Sequence, residues 1–196
     1  MRRLFNLVLI LFINMFALAV SAQETADTIK QMLIERDREI KNVLGPEGSD
    51  YTDDQREQLK AMINNIIDFE AMSKEALAET YNEITDEQRT EFVDLFTAII
   101  SDNSLNKLDI YRARVTYNEV EVNGNDVLVK TMAELDDVRT PVDYKFHLKD
   151  GEWLITDMSI DDVYTAVSYN RQFERIIRRR GFDALMDSLR KRAARS

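Results

Sequence analysis

Few groups in this chain could do acid–base or metal chemistry. It has one histidine, His147, and no cysteine. A lone histidine cannot build a two-histidine metal site, and without cysteine there is no thiolate nucleophile, disulfide framework or thiolate zinc site. Any Ser-His-Asp relay would have to run through His147, which alternates with Asp143, Lys145 and Lys149 as on a solvated strand face. Asp157 differs. A two-residue turn at Asp150-Gly151 sets it opposite Tyr144, on an otherwise apolar face. Two readings stand: an acid or base in a pocket, with a raised pKa, or a carboxylate bonded to the Tyr144 hydroxyl or to backbone at a strand end. Asp53-Asp54 and Asp136-Asp137 read as a helix start and a turn rather than calcium ligands. There is no phosphate-cradling glycine loop, no metal-ligand spacing and no nucleophile elbow, so no cofactor or metal is expected.

The elements that hold these groups follow from periodicity. Ile29, Met32, Leu33, Ile40, Val43 and Leu44 share one helix face, which stops at Gly45-Pro46. Thr52 with Gln55, and Thr85 with Gln88, have the spacing of capping boxes: the hydroxyl accepts from an orphan amide and the amide side chain reaches back. Apolar stripes follow each, Leu59 to Ile67 and Phe92 to Ile100, with a further segment over Phe69, Met72, Ala76, Leu77, Tyr81 and Ile84. From about Tyr111 the period becomes two. Asn123-Gly124 and Asp150-Gly151 mark hairpins. The second pairs Leu148 with Trp153 and Phe146 with Ile155, so Val142, Tyr144, Phe146, Trp153 and Ile155 share an apolar face. The first pairs Val120 with Val127 but leaves Val115 and Tyr117 facing away, which predicts a bulge or a longer loop. Helical stripes return over Val163 to Ile177 and, after Gly181, Phe182 to Ala193. The class is α+β: helices on one face of a curved antiparallel sheet of about four strands.

Residues 1–22 read as a secretory signal peptide outside that fold. Arg2-Arg3 precede an apolar run that ends in Val20-Ser21-Ala22, which predicts cleavage after Ala22 and a single domain over residues 23–196. The net charge is −10, against the basic balance usual for nucleic-acid binding. The charge is uneven. From Arg171 onward nine basic residues meet three acidic ones, and Arg178, Arg179 and Arg180 form a compact cationic cluster suited to docking an acidic partner or steering toward anionic lipid. Cations at helix C-termini are also favourable in themselves.

The order Pro141-Val142-Asp143-Tyr144, Gly151-Glu152-Trp153-Leu154-Ile155, Asp157-Met158-Ser159-Ile160, then Tyr169, Arg171-Gln172-Phe173 and Gly181-Phe182-Asp183-Ala184-Leu185 resembles the MlaC family of periplasmic phospholipid-binding, or toluene-tolerance, proteins. Ile67-Asp68-Phe69, Met72, Leu77, Thr85, Glu87-Gln88-Arg89, Phe92 and Phe96 agree. The resemblance spans essentially all of residues 23–196. The chain departs from the family at Asp162 and Ala78, where glycine is usual, and at Tyr164, Ser168 and Tyr81. The resemblance implies a fold of the nuclear-transport-factor-2-like group, with an apolar cavity between sheet and helices that takes acyl chains and leaves the headgroup in solvent. It implies a monomeric shuttle between an outer-membrane lipoprotein–porin complex and an inner-membrane ABC transporter bearing MCE domains, serving outer-membrane lipid asymmetry.

On that reading the pocket is lined by Val142, Tyr144, Phe146, Trp153 and Ile155 from the sheet and by Val163, Val167 and Phe173 from the following helix, and the protein is not an enzyme. Two alternatives stay open: a ligand-free adaptor whose core is filled, and an enzyme using Asp157.

Overall fold

A computed structural model describes residues 2–46, 51–105 and 108–195, with side chains described from residue 22 onward. The expected signal peptide therefore lies, apart from Ala22, outside the described side chains, and the Gly45 to Tyr51 loop lies partly outside the described residues. Helix α1 runs over Arg2–Leu44 and α2 over Asp53–Asn64, the latter opened by a complete Thr52/Gln55 capping box. Helix α3 spans Phe69–Leu77, α4 Thr80–Glu83 and α5 Asp86–Leu105. Thr85 and Gln88 exchange both capping bonds at the start of α5, at 3.0 and 3.3 Å.

The stripe from Phe69 to Ile84 is expected as one segment, but it breaks at Ala78, where φ is +49°. That region strongly favours glycine. Asp162 also has positive φ, at +60°.

Strands β1 (Arg114–Asn123), β2 (Asp126–Leu135), β3 (Val138–Lys149) and β4 (Glu152–Ile160) form an antiparallel meander, extended by a two-residue β5 (Val163–Tyr164). The expected four strands are thus joined by a short fifth. Helices α6 (Thr165–Arg180) and α7 (Phe182–Ala193) close the chain. The first hairpin turns at Gly124-Asn125, one residue later than expected. Asn123 faces Asp126, Val120 faces Val129, and a register shift between Tyr117 and Glu119 brings Tyr117 back to the apolar face opposite Thr131. This is the anticipated bulge.

A second bulge was not anticipated. Leu148–Trp153 and Phe146–Ile155 pair as expected, but the register then shifts between Lys145 and Phe146. Met158 takes the place opposite Tyr144, and Asp157 moves opposite Lys145 on the other face. One extra residue, Thr156, inverts every later side chain of β4.

That inversion decides how helices meet the sheet. The apolar face packs on α1, through Ile29, Met32 and Leu33, and on Ile66 and Ile67. The charged face reaches α3 and α6: Lys145 contacts Glu75 at 3.2 Å, and the amide of Ala166 donates to Asp157 at 3.0 Å. Helices therefore lie against both faces rather than one. Two further clusters complete the core. One joins α3, α5, α6 and α7 around Phe92, Phe96 and Phe173; the other joins α1, α2 and the 3₁₀ turn Leu108–Arg112 around Leu44 and Leu59. Ile67 packs against all three clusters.

Candidate functional site

The apolar face of the sheet gathers side chains from all four long strands. Val120 and Val122 come from β1, Val127 and Val129 from β2, Tyr144 and Phe146 from β3, Trp153 and Ile155 from β4. Their shared face follows from the register, since directly paired antiparallel residues point to the same side. Phe146 and Ile155 are buried, and Tyr144 and Trp153 half-buried. The Tyr144 and Phe146 rings lie 6.4 Å apart between centroids. Burial pushes the Tyr144 hydroxyl pKa up, and desolvation with nearby Asp37 pushes Tyr117 up to about 12, so both stay neutral donors. Helix α1 forms the opposite wall.

The structure brings Val142, Tyr144, Phe146, Trp153 and Ile155 onto this one face. Val163 shares the face through its pairing with Ile160, but at the outer end of the sheet, 51% exposed. Val167 is 37% exposed on the first turns of α6. Phe173 is elsewhere. It packs against Phe92, Phe96 and Tyr169, with ring centroids 5.4 to 5.8 Å apart, inside the helical cluster. It does not join the sheet face because α6 meets the charged side of β4. Sequence reasoning missed the contribution of α1. The stripe of Ile29, Met32 and Leu33 is legible, but nothing in it says which surface it covers.

The groups singled out for chemistry have structural tasks. Asp157 is fully buried; one oxygen, Oδ1, accepts from the amides of Met158 at 2.8 Å and Ala166 at 3.0 Å. It thereby caps α6, whose own N-cap residue, Tyr164, supplies no side-chain bond. The other oxygen has no hydrogen bond and lies 3.8 Å from Lys145 Nζ. Of its two readings, the backbone-bonded carboxylate matches this geometry, with the amides rather than Tyr144 as donors.

His147 is less solvated than expected. Its Nε2 lies 3.2 Å from Asp68 Oδ2, which also accepts from Lys149 at 2.9 Å, while Asp68 Oδ1 caps α3 through the Ala71 amide at 3.0 Å. Burial alone would raise the Asp68 pKa, but the Ala71 amide, Lys149 and His147 together outweigh it and hold the carboxyl below its usual value. The segment around Asp68 is fixed by pairing with β4, the Asp68 amide donating to the Ile155 carbonyl at 2.9 Å and the Ile155 amide to Ile66 at 2.7 Å. Asp53 and Asp54 open α2, and Asp136 and Asp137 form the β2–β3 turn. Among the described residues no group of three His, Asp or Glu could hold a metal ion. Arg178, Arg179 and Arg180 form the exposed last turn of α6, where their charge complements the helix dipole; Arg178 also pairs with Glu174 at 2.8 Å. Among the described residues no helix is long and apolar enough to cross a membrane.

A model of the family described as MlaC protein matches residues 38–191, well over half of the chain. The chain belongs to the MlaC family. Among solved structures, the family fold is shared with a phospholipid-binding protein from Ralstonia solanacearum, solved in complex with a phospholipid. The TM-score is 0.71 at 19% identity, covering 87% of this chain and 97% of that one. No curated protein matches this chain. Family membership accounts for the order of the motifs, and the shared fold for the sheet and the helices against it.

Proposed function

We propose that this chain carries a phospholipid, burying its acyl chains between the apolar sheet face and α1. The observation that carries this reading is a continuous apolar face, free of catalytic groups, in a fold that holds a phospholipid in a relative. The lining is Val142, Tyr144, Phe146, Trp153 and Ile155, together with Val127 and Val129 of β2 and Met32 of α1. Magnitudes support it. Two acyl chains in water are unfavourable by on the order of 20 kcal/mol gross, at about 0.8 kcal/mol per methylene. Lifting Ile29, Met32 and Leu33 off the sheet exposes three side chains at roughly 2 kcal/mol each, about 6 kcal/mol in all. An acyl chain inserted there covers the same side chains again, so the cost of parting α1 from the sheet is largely offset. A bilayer hides the chains equally well, so loading and release stay near balance, as a carrier requires.

The remainder of the proposal follows the family resemblance. Residues 1–22 are removed on export, and residues 23–196 work as a single monomeric domain in the periplasm. The chain shuttles lipid between an outer-membrane lipoprotein–porin complex and an inner-membrane ABC transporter bearing MCE domains, and does no chemistry on it. Arg178 to Arg180 serve as a docking face for one of these complexes.

The test is organic extraction of protein purified from its native periplasm. Near-stoichiometric phospholipid is expected; none would refute the carrier. The packing of Ile29 and Leu33 onto the sheet favours one second reading, a ligand-free adaptor with a filled core. Melting with and without added phospholipid separates the two, because only a binder is stabilised by mass action.

A further inference from the structure

The outer end of the apolar face is uncovered. The β2–β3 hairpin extends four residues beyond the last β3–β4 pair, Val142–Ile160, so β3 overhangs β4 by roughly 13 Å at strand rise. Val138, Val142, Ile160 and Val163 all point to the apolar side of this ledge by register. Val138 is 65% exposed, Ile160 42% and Val163 51%. These belong to a short set of exposed large hydrophobics among the described residues; Ile160 and Val163 are directly paired, and Val138 extends the same face along the overhang, which is how an interaction surface differs from scattered exposed side chains.

The rim of the ledge is acidic. Asp136 and Asp137 form the exposed β2–β3 turn, and Asp161 and Asp162 the exposed β4–β5 turn. The Asp161 amide donates to the Pro141 carbonyl at 3.0 Å, which seats the second turn against the overhanging strand. The exposed bases in the neighbouring row, Arg139 of β3 and Arg114 of β1, lie on the opposite face of the sheet. Asp161 and Asp162 both have positive φ, +53° and +60°, where glycine would be less strained. Two adjacent carboxylates are thus held at the tip of a tight hairpin turn, in a backbone that aspartate and asparagine both tolerate.

We propose that this ledge docks a protein surface with an apolar centre ringed by lysine or arginine. Charge selects the occupant. Four rim carboxylates complement a basic protein patch, whereas an anionic bilayer surface would repel them. A second copy is disfavoured for the same reason, since two ledges face to face would bring eight aspartates together. The surface adjoins the acyl-chain wall at Val142 and extends outward from it through the exposed Val138, Ile160 and Val163.

The experiment uses full-length exported protein and a fluorescent amphipathic helical peptide, leucines on one face edged by lysines, read by anisotropy at low and at physiological salt. Asn tolerates positive φ, so Asp136→Asn, Asp137→Asn, Asp161→Asn and Asp162→Asn combined remove charge without changing the turns. This variant should bind about tenfold more weakly and lose most of the salt dependence. Ile160→Ser with Val163→Ser should also bind about tenfold more weakly, and its substitutions lie on exposed positions. Glu119→Gln with Glu121→Gln, on the other face of β1, should bind as wild type, and a peptide edged by glutamates should not bind. Asp162→Gly should melt higher yet bind more weakly.

Binding by the four-Asn variant equal to wild type would overturn the proposal. So would sedimentation with phosphatidylglycerol vesicles that depends on Ile160 and Val163, which would make the occupant a membrane, or a concentration-dependent dimer lost in the Ser pair, which would make it a second copy. Phospholipid extracted from the same preparations reports on the carrier reading independently of the peptide result.

Discussion

Substituting Asp157 separates the geometry of its acceptor from its charge. Alanine removes the acceptor for two amides. The Ala166 amide belongs to a fully buried residue, and orphaning it costs about 1–3 kcal/mol, with about 1 kcal/mol more for the Met158 bond. Asp157→Ala should therefore lose roughly 2–4 kcal/mol at neutral pH, or about 5–15 °C in melting temperature for a domain of this size. Asn keeps an oxygen where Oδ1 sits and replaces an Oδ2 that has no hydrogen bond. Asp157→Asn should lose about 1 kcal/mol, less than the alanine variant, because it keeps both amide bonds while its buried NH2 faces Lys145 without an acceptor.

Acid pH gives the second readout. Burial raises the Asp157 pKa above its ordinary 3.8, with Glu75 adding to it and the Ala166 and Met158 amides and Lys145 opposing. The folded state then takes up the proton more readily than the unfolded chain. This group's contribution to stability is greatest below 3.8 and is lost as pH rises through the raised value. The Asn variant has no such dependence, so wild type should gain on it as pH falls from neutral toward 3.8. Urea midpoints at several pH values, at constant m, measure both effects. An Asn variant as unstable as the Ala variant would refute the capping argument.

Three further outcomes are expected. Asp68→Ala should lose about 1–2 kcal/mol at neutral pH by chemical denaturation, from a lost N-cap and a partly exposed ion pair with Lys149. Because the Asp68 pKa is lowered, its contribution is present above 3.8 and lost as pH falls through the folded value, so variant and wild type should converge in acid, opposite in sign to Asp157. Met32→Trp should enlarge the side chain packed between α1 and the sheet and reduce extracted phospholipid several-fold, with circular dichroism unchanged; undiminished lipid would place the chains elsewhere. Arg178→Glu, Arg179→Glu and Arg180→Glu combined should slow lipid transfer to the inner-membrane complex, measured by stopped-flow fluorescence, with loading unaffected; an unchanged rate would remove these residues from docking.

Most of the architecture could be read from residue spacing. Thr52/Gln55 and Thr85/Gln88 form local capping boxes, and Asp150-Gly151 a local turn, so their outcomes depend on neighbours already visible in the chain. The β4 bulge is different. Strict alternation from Trp153 places Asp157 with the apolar residues; a single extra residue at Thr156 relocates it, because satisfying the α6 amide was worth more than unbroken alternation. The same relocation explains why α6 carried Phe173 into the helical core rather than onto the sheet. The α1 stripe was legible but its target was not, since Ile29 and Val129, members of one cluster, stand a hundred residues apart in sequence.

Strand β1 ends the sheet, and among the described residues no strand pairs with its outer edge. An open edge is a template for another chain, and a protein meant to diffuse alone must discourage it. Here the extra residue Asn118 kinks the edge midway, and Glu119 and Glu121 project from one face, bridged by Lys130 of β2. A second molecule bringing its own β1 alongside would find an interrupted ladder and two facing pairs of like charges. The bulge that returns Tyr117 to the apolar face thus also works against edge-to-edge pairing and fibre growth.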